Sequence, residues 1–404
     1  MESVELFAGG GGLAIGLERA GFRPHTIIEF NRNACKTLRQ NYLASDHTAV
    51  FEGDIRQFDY QHLQTAPIRL VSGGPPCQPF SLGGNHRAHN DDRDMFPEAV
   101  RAVRELQPHA FIFENVKGLL RSSFAPYFDY ILSQLRYPSI TKQPEEDWES
   151  HAARLSAHQQ LQPTPEYQLS YHLVNAADYG VPQKRERVFM VGFRRDIKPQ
   201  WAFPAPTHSE DALLWSKWIT GSYWQRHGVS APVIDKKTAA KVAKLQKRYR
   251  DQPPTSLPWL TVRDALSDLP DPQSVASPAN SVSNHDFKPG ARIYPGHTGS
   301  YIDEPSKALK AGAHGVPGGE NMIRYHDGSV RYFTVRESAR LQTFPDSYVL
   351  EGAWGEAMRQ LGNAVPVQLA KMVGESVFRS LAQWDEQWDE STKENSVMPA
   401  SSAV

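Results

Sequence analysis

Val4–Ala20, VELFAGGGGLAIGLERA, decides the fold. The strand-like run Val4–Phe7 leads into the four glycines Gly9–Gly12, and apolar residues then recur at helical spacing from Leu13 until Gly21 stops the run. Glycines let a backbone approach a ligand closely, and a helix that opens on them offers free N–H groups at its start. The rhythm repeats outward from this unit. His25 to Phe30 reads as a second strand, and Asn31 to Gln40 as a helix carrying Cys35. Ile68 to Val71 and Ala110 to Phe113 read as short buried strands, with a helix over Glu98 to Leu106 between them. Such alternation predicts an α/β fold with a mostly parallel sheet, helices on its faces and ligands at the carboxyl ends of its strands.

The remaining chain sets bounds. Its 404 residues suffice for a large core plus a second unit. A formal net charge of -1 gives no global sign of nucleic acid, so any such binding must come from local patches. No apolar run is long enough to cross a bilayer, and the immediate strand pattern leaves no room for a signal peptide. Two cysteines, Cys35 and Cys77, are too few for a disulfide framework and fit a reducing cytosol. Pro138 to Glu166 reads as an excursion loop with some helix, and a strand returns at Arg187–Phe193. From about Pro199 to Tyr325 the pattern is irregular and rich in Pro, Gly, His and Trp. The expected organisation is therefore 1–198, a second smaller domain at 199–325, a return to the first domain at 326–385, and a polar tail without structure at 386–404. Helix starts are expected at Thr334–Glu337, a capping box, and at the similarly spaced Thr261–Asp264.

The residues that carry chemistry gather at the predicted strand ends. Glu29 can accept both hydroxyls of a ribose, and Asp54 an exocyclic adenine amine, so with the glycine loop they suit an adenosine-containing cofactor. Gly9-x-Gly11-x-x-Ala14 also satisfies the looser dinucleotide pattern, which keeps a nicotinamide enzyme open. Cys77 stands in Gly73-Gly74-Pro75-Pro76-Cys77-Gln78-Pro79, where prolines stiffen the chain more than packing requires. Such a loop suits a thiolate nucleophile, whereas Cys35, in mid-helix beside Ala34 and Leu38, reads as a structural thiol. Glu114 leaves the apolar run Ala110–Phe113, where loss of water favours the acid form that a proton donor needs. Strand alternation puts Gln183, Arg185 and Arg187 on one face, with two guanidiniums suited to a phosphate, a carbonyl oxygen or a carboxylate.

Taken together, these segments resemble the DNA (cytosine-5) methyltransferases of bacterial restriction–modification systems. Phe7–Gly12, Pro75-Pro76-Cys77-Gln78, Glu114-Asn115-Val116 and Gln183-x-Arg185-x-Arg187 stand in the family's order, followed by Arg336–Pro345 and Gly362-Asn363-Ala364-Val365-Pro366. The resemblance covers nearly the whole chain apart from the middle domain's details and the tail. It implies a Rossmann-like methyltransferase sheet, a target-recognition domain, and a methyl group passed from S-adenosyl-L-methionine to C5 of a cytosine swung out of double-stranded DNA. Cys77 would attack C6, Glu114 would protonate or hydrogen-bond N3, Arg187 would hold the base oxygen, and Arg185 would support the thiol loop or a phosphate. The implied cofactor pocket is Phe7, Ala8, Gly9, Gly11, Gly12, Leu13, Glu29, Phe30, Asp54, Ile55, Pro76, Met95, Asn363 and Val365. Met95 stands where the family often has leucine. Gln78 and Ser81 are implied DNA contacts. The resemblance further implies a cytoplasmic enzyme that meets DNA at the nucleoid beside a partner restriction endonuclease. A monomer is expected because an asymmetric active site needs only one copy to flip one base, and no membrane is expected.

Between Lys236 and Arg250 seven basic residues occur without an acid, and Lys237, Lys241, Lys244 and Arg248 share one helical face, expected to meet phosphates. The alternative for this face is a solvated helix set against the domain's own acids. Base readout is expected from the loops Ala291–Ser300, with Arg292, and Lys310–Gly319. An RNA cytosine methyltransferase is the nearest rival, a nicotinamide oxidoreductase a distant one, and a DNA-binding protein without catalysis a third.

Overall fold

The computed structural model describes residues 1–42, 45, 47–64, 66–76, 94–197, 200–250, 252–274, 282–311 and 319–397, with side chains described up to residue 387. Its centre is a seven-stranded sheet of β1 (Glu2–Leu6), β2 (Arg23–Glu29), β3 (Ala49–Glu52), β4 (Ile68–Gly73), β5 (Ala110–Val116), β6 (Tyr167–Asn175) and β8 (Glu186–Arg194). The strand order is β3-β2-β1-β4-β5-β8-β6. The pairs among β1 to β5 are all parallel, while β8 runs antiparallel to both β5 and β6.

Alternation along β5 shows why the sheet has two dry faces. Phe111 and Phe113 point to one side, against α3 (Phe96–Leu106) and α4 (Ala125–Arg136). Ala110 and Ile112 point to the other, against α1 (Gly12–Arg19) and α12 (Val367–Val397). Gly21, at φ 105°, ends the α1 segment in the left-handed region as expected. The chain order β1-α1-β2, α2 (Arg32–Tyr42), β3 steps away from β1, and β4 then returns to its other side. This reversal opens a crevice beyond Leu6 and Gly73, which lie opposite one another in register.

Two segments depart from the sequence reading, whereas the helix expected within the Pro138–Glu166 excursion is the fourteen-residue α5 (Trp148–Leu161), capped by Asp147, which accepts the Ser150 N–H at 2.7 Å. Its inner face buries His151, whose Nδ1 lies 2.8 Å from the Tyr130 hydroxyl. The edge strand β6 was not anticipated. The expected tail from residue 386 is instead helix as far as Val397. Trp384 packs on the cluster beneath α12, Asp385 pairs with Arg69 at 2.9 Å, and no glycine or proline interrupts residues 375–398.

Smaller elements follow the sheet in the chain: β9 (His208–Ser209), α6 (Glu210–Trp218), α7 (Ser222–His227), α8 (Lys236–Tyr249), β10 (Leu257–Pro258) and α9 (Val262–Leu266). Strands β11 (Ser300–Tyr301), β13 (Met322–Arg324) and β14 (Val330–Tyr332) form a second sheet, and β12 (Ser306–Lys307) pairs with β7 (Gln183–Lys184) of the first half. Helix α10 (Val335–Leu341) and α9 both begin in the capping boxes read from the sequence. Helix α11 (Trp354–Asn363) then leads back to α12. Among the described residues no helix is long and apolar enough to cross a membrane.

Candidate active site

The glycine loop leaves β1 at Phe7 and Gly9, both at positive φ, and enters α1 through Gly11 at φ 84°. Glu29, ending the neighbouring strand, holds this turn: its Oε2 accepts the Gly9 N–H at 2.7 Å and its Oε1 the Asn31 N–H at 2.6 Å. Each oxygen keeps a further lone pair for a hydroxyl donor. Behind the loop a β-carbon on Gly12 would collide with the Val365 carbonyl, so this position admits only glycine. Ala8, Leu13 and Val365 are buried around it, and Phe30 beside Glu29 is 75% exposed, an aromatic face open to a flat ligand. This is a cradle that suits an adenosine: backbone N–H groups, a ribose-sized acid and an exposed ring.

Two expected pocket residues are disposed differently. The Asp54 carboxylate caps the short turn Ile55–Gln57 and is gripped on both oxygens by Arg56, at 2.6–3.0 Å. Because Gly53 bonds to the Glu29 carbonyl, Asp54 lies near the pocket, but an adenine amine would have to compete with a guanidinium. Ile55 is buried, and its carbonyl accepts from Arg101 at 2.6 Å. Asn363 ends α11 with its side chain exposed.

Cys77, Gln78 and Ser81 lie outside the described residues, but the frame that receives Cys77 is described. The Asn115 amide donates to the Pro75 carbonyl at 2.9 Å, and the Met95 N–H to the Pro76 carbonyl at 3.2 Å. The last proline before Cys77 and the residue after Asp94 are therefore tied together. Glu114, 7% exposed, brings Oε2 to 3.4 Å from where a β-carbon of Gly74 would stand. Burial pushes its carboxyl upward, against the pull first of Arg187 and then of Arg185. Arg187 Nε lies 2.6 Å from Glu114 Oε1, yet that oxygen accepts no well-directed hydrogen bond, so the contact is chiefly electrostatic. A carboxyl whose acid form is favoured by burial thus sits side by side with a guanidinium at the end of β5. Cys35 is fully buried, donates toward the Glu29 carbonyl at 3.3 Å, and has its thiol pushed up to about 12 by burial, which suits a structural role.

Gln183, Arg185 and Arg187 share the inward face, with Lys184 and Glu186 outward, as alternation requires. The thiol loop that Arg185 was expected to support lies outside the described residues, and Arg185 reaches across the chain. It is buried, and its two terminal nitrogens donate to the carbonyls of Leu309 at 3.1 Å and Gly362 at 2.7 Å. Gln183 works beside it, accepting the Leu309 N–H at 3.2 Å. Arg185 is a strut between the first half of the chain and its return.

The basic run forms helix α8 as expected, but its face is divided. Lys241 pairs with Glu210 and Arg248 with Asp211, each at 2.8 Å, as the alternative of the domain's own acids anticipated. Lys237 and Lys244 are exposed, as is Arg292. Residues 312–318 of the second expected reading loop lie outside the described residues. Sequence reasoning gave no part to Asn115 as the Pro75 clamp or to Tyr348, whose hydroxyl donates to the Gly10 carbonyl at 2.9 Å. Neither has a local signal, since each partner lies tens to hundreds of residues away.

Comparison with known proteins adds three findings. A family model described as C-5 cytosine-specific DNA methylase matches residues 1–137 and 153–379, omitting the stretch that leads into α5. The chain is 31% identical over 382 residues to the Type II methyltransferase M.PspPI of Psychrobacter sp., covering 94% of this chain and 79% of that protein. It is 30% identical to M.NgoMIV of Neisseria gonorrhoeae, covering 94% and 97% respectively. Among solved structures, a DNA modification methyltransferase encoded within an E. coli prophage aligns with a TM-score of 0.59 at 20% identity, covering 95% of this chain and 99% of that one. Spodoptera frugiperda DNMT2 aligns at 0.56 and 16%, covering 93% and 99%. At such identities these two likenesses bear on the fold alone.

Proposed function

The chain belongs to the C-5 cytosine-specific DNA methylases, and from that premise we propose how its residues divide the work. As an enzyme it is a DNA (cytosine-5) methyltransferase of the Type II restriction–modification kind. The nicotinamide reading of the glycine loop yields to this membership. S-adenosyl-L-methionine, when bound, supplies the methyl group as an electrophile. Glu29, the loop Phe7–Leu13 and Phe30 would hold its adenosine, with Ile55, Pro76, Met95 and Val365 as apolar wall and Asp54 and Asn363 at the rim.

Cys77, as thiolate, adds to C6 of the target cytosine, and the displaced electron pair moves toward C5. Glu114 supplies the proton or hydrogen bond at N3 that keeps this addition from building a bare carbanion, and Arg187 holds the exocyclic carbonyl oxygen of the base. After C5 takes the methyl group, loss of its proton expels the Cys77 thiolate. A stacked cytosine is out of reach of such a thiol, so the base leaves the duplex at a cost of a few kcal/mol, offset by contacts from residues 199–325, which we assign as the target-recognition unit. Residues 1–198 and 326–385 then form the catalytic unit. Gln78, Ser81, Lys237, Lys244 and Arg292 are the assigned DNA contacts, and protection of host DNA beside a partner nuclease is the assigned purpose.

One observation carries this reading: Glu114, with its proton favoured, stands beside Arg187 at the Gly74 end of the loop that bears Cys77. An oligonucleotide containing 5-fluorocytosine at the methylated position, supplied with S-adenosylmethionine, is expected to stay attached through a denaturing gel, and Cys77→Ala to give no adduct. Wild-type protein that methylates ordinary DNA yet forms no adduct would refute the covalent route.

A further inference from the structure

We propose that Tyr348 is a positioning residue for the methyl-donor site, fixing the Gly10–Gly11 peptide of the glycine loop from behind; this rests on reading that loop as the donor site. A peptide between glycines is free to rotate, because neither side has a β-carbon to resist it. Here it is held at both ends: the Gly11 N–H donates to the Ala8 carbonyl at 2.9 Å, and the Gly10 carbonyl accepts the Tyr348 hydroxyl at 2.9 Å. The same hydroxyl lies 2.6 Å from where a β-carbon of Gly11 would stand, so it lies directly against the loop.

Tyr348 is itself fixed by an unusual strap, residues 345–351. Asn41 bonds both the N–H and the carbonyl of Val349, at 2.9 and 2.8 Å, and Asn284 does the same for Leu350, at 2.9 and 3.0 Å. The Tyr348 carbonyl accepts from Arg336 at 2.8 Å, the Glu351 N–H donates to Thr37 at 2.9 Å, and the Glu351 carbonyl accepts from Gln360 at 2.9 Å. The strap is satisfied as a strand would be, but by side chains from four directions. Its phenol is buried, and burial favours the protonated form that can donate.

Tyr348→Phe removes one oxygen and nothing else. In the full-length protein, titration calorimetry is expected to show S-adenosylmethionine bound about threefold to tenfold more weakly, the worth of one neutral hydrogen bond. The KM for the donor should rise in step, with kcat at saturation and DNA affinity without donor within twofold of wild type. A lowered urea midpoint with unchanged donor affinity would mean that the hydroxyl only packs, and would overturn the proposal. Should this variant fail to melt cooperatively, Asn41→Ala, which loosens the strap at Val349, is expected to weaken donor binding in the same direction, and unchanged affinity there overturns it equally. Absence of donor binding by wild type would instead strike the site reading beneath it.

Discussion

Replacing Arg185 by methionine separates two roles for a guanidinium in this site. The structure makes Arg185 a strut: its side chain is buried, and it satisfies the carbonyls of Leu309 and Gly362 while its Nε has no partner. A hydrogen bond to a charged group contributes about 1.5–3 kcal/mol, so two such bonds are worth at most about 3–6 kcal/mol. Methionine fills much of the same volume and no longer requires a guanidinium to be stripped of water, which returns part of that sum. The net loss expected is about 2–4 kcal/mol, read as a lower urea midpoint at unchanged slope. Arg185→Lys should recover little of it, because one ammonium cannot span both carbonyls as the fork does. Methylation should fall with the folded fraction, and single-turnover rates on the folded fraction should stay within about tenfold of wild type. A variant that melts within about 0.5 kcal/mol of wild type but loses a thousandfold in rate would refute the strut and restore a direct part in catalysis.

Two further outcomes follow from the geometry. Glu5, fully buried in β1 with the Ser72 hydroxyl donating to it, has its carboxyl pushed up to about 8 by burial. The native state then keeps a proton that the unfolded chain releases from about pH 4.5, so this group lowers stability progressively as pH rises toward 8. Glu5→Gln should therefore gain on wild type by on the order of 1–3 kcal/mol between pH 5 and pH 8 in urea melts, and a difference independent of pH would contradict the assignment. For DNA, Lys237→Glu with Lys244→Glu should weaken binding and reduce the slope of log affinity against log salt by about 2, whereas an unchanged slope removes α8 from the phosphate surface.

How much of this was legible depends on the range of the signal. The Val4–Ala20 unit, the Gly21 stop and both capping boxes rest on neighbours within four residues, and all appear where the sequence puts them. Some helix was read within Pro138–Glu166, and Asp147, three residues before Ser150, is the local cap that begins it. Strand β6 lacks a clean alternation because it is an edge, with Tyr171 and Leu173 exposed beside polar neighbours. The antiparallel direction of β8 follows from where β6 returns, which no local pattern encodes. Within the site, residue types announced Glu29, Glu114 and the paired arginines. What Arg185 touches was hidden, since Leu309 and Gly362 lie 124 and 177 residues away. The division of the α8 face was hidden likewise, because Glu210 and Asp211 precede it by a full helix.

The contact between Gly12 and Val365 has a consequence for the newborn chain. The ribosome releases the glycine loop about 350 residues before the segment that backs it. Until α11 and α12 emerge, the inner wall of the donor pocket is bare and one face of the sheet stays wet. A truncated product ending before residue 362 should therefore neither retain the methyl donor nor mark DNA.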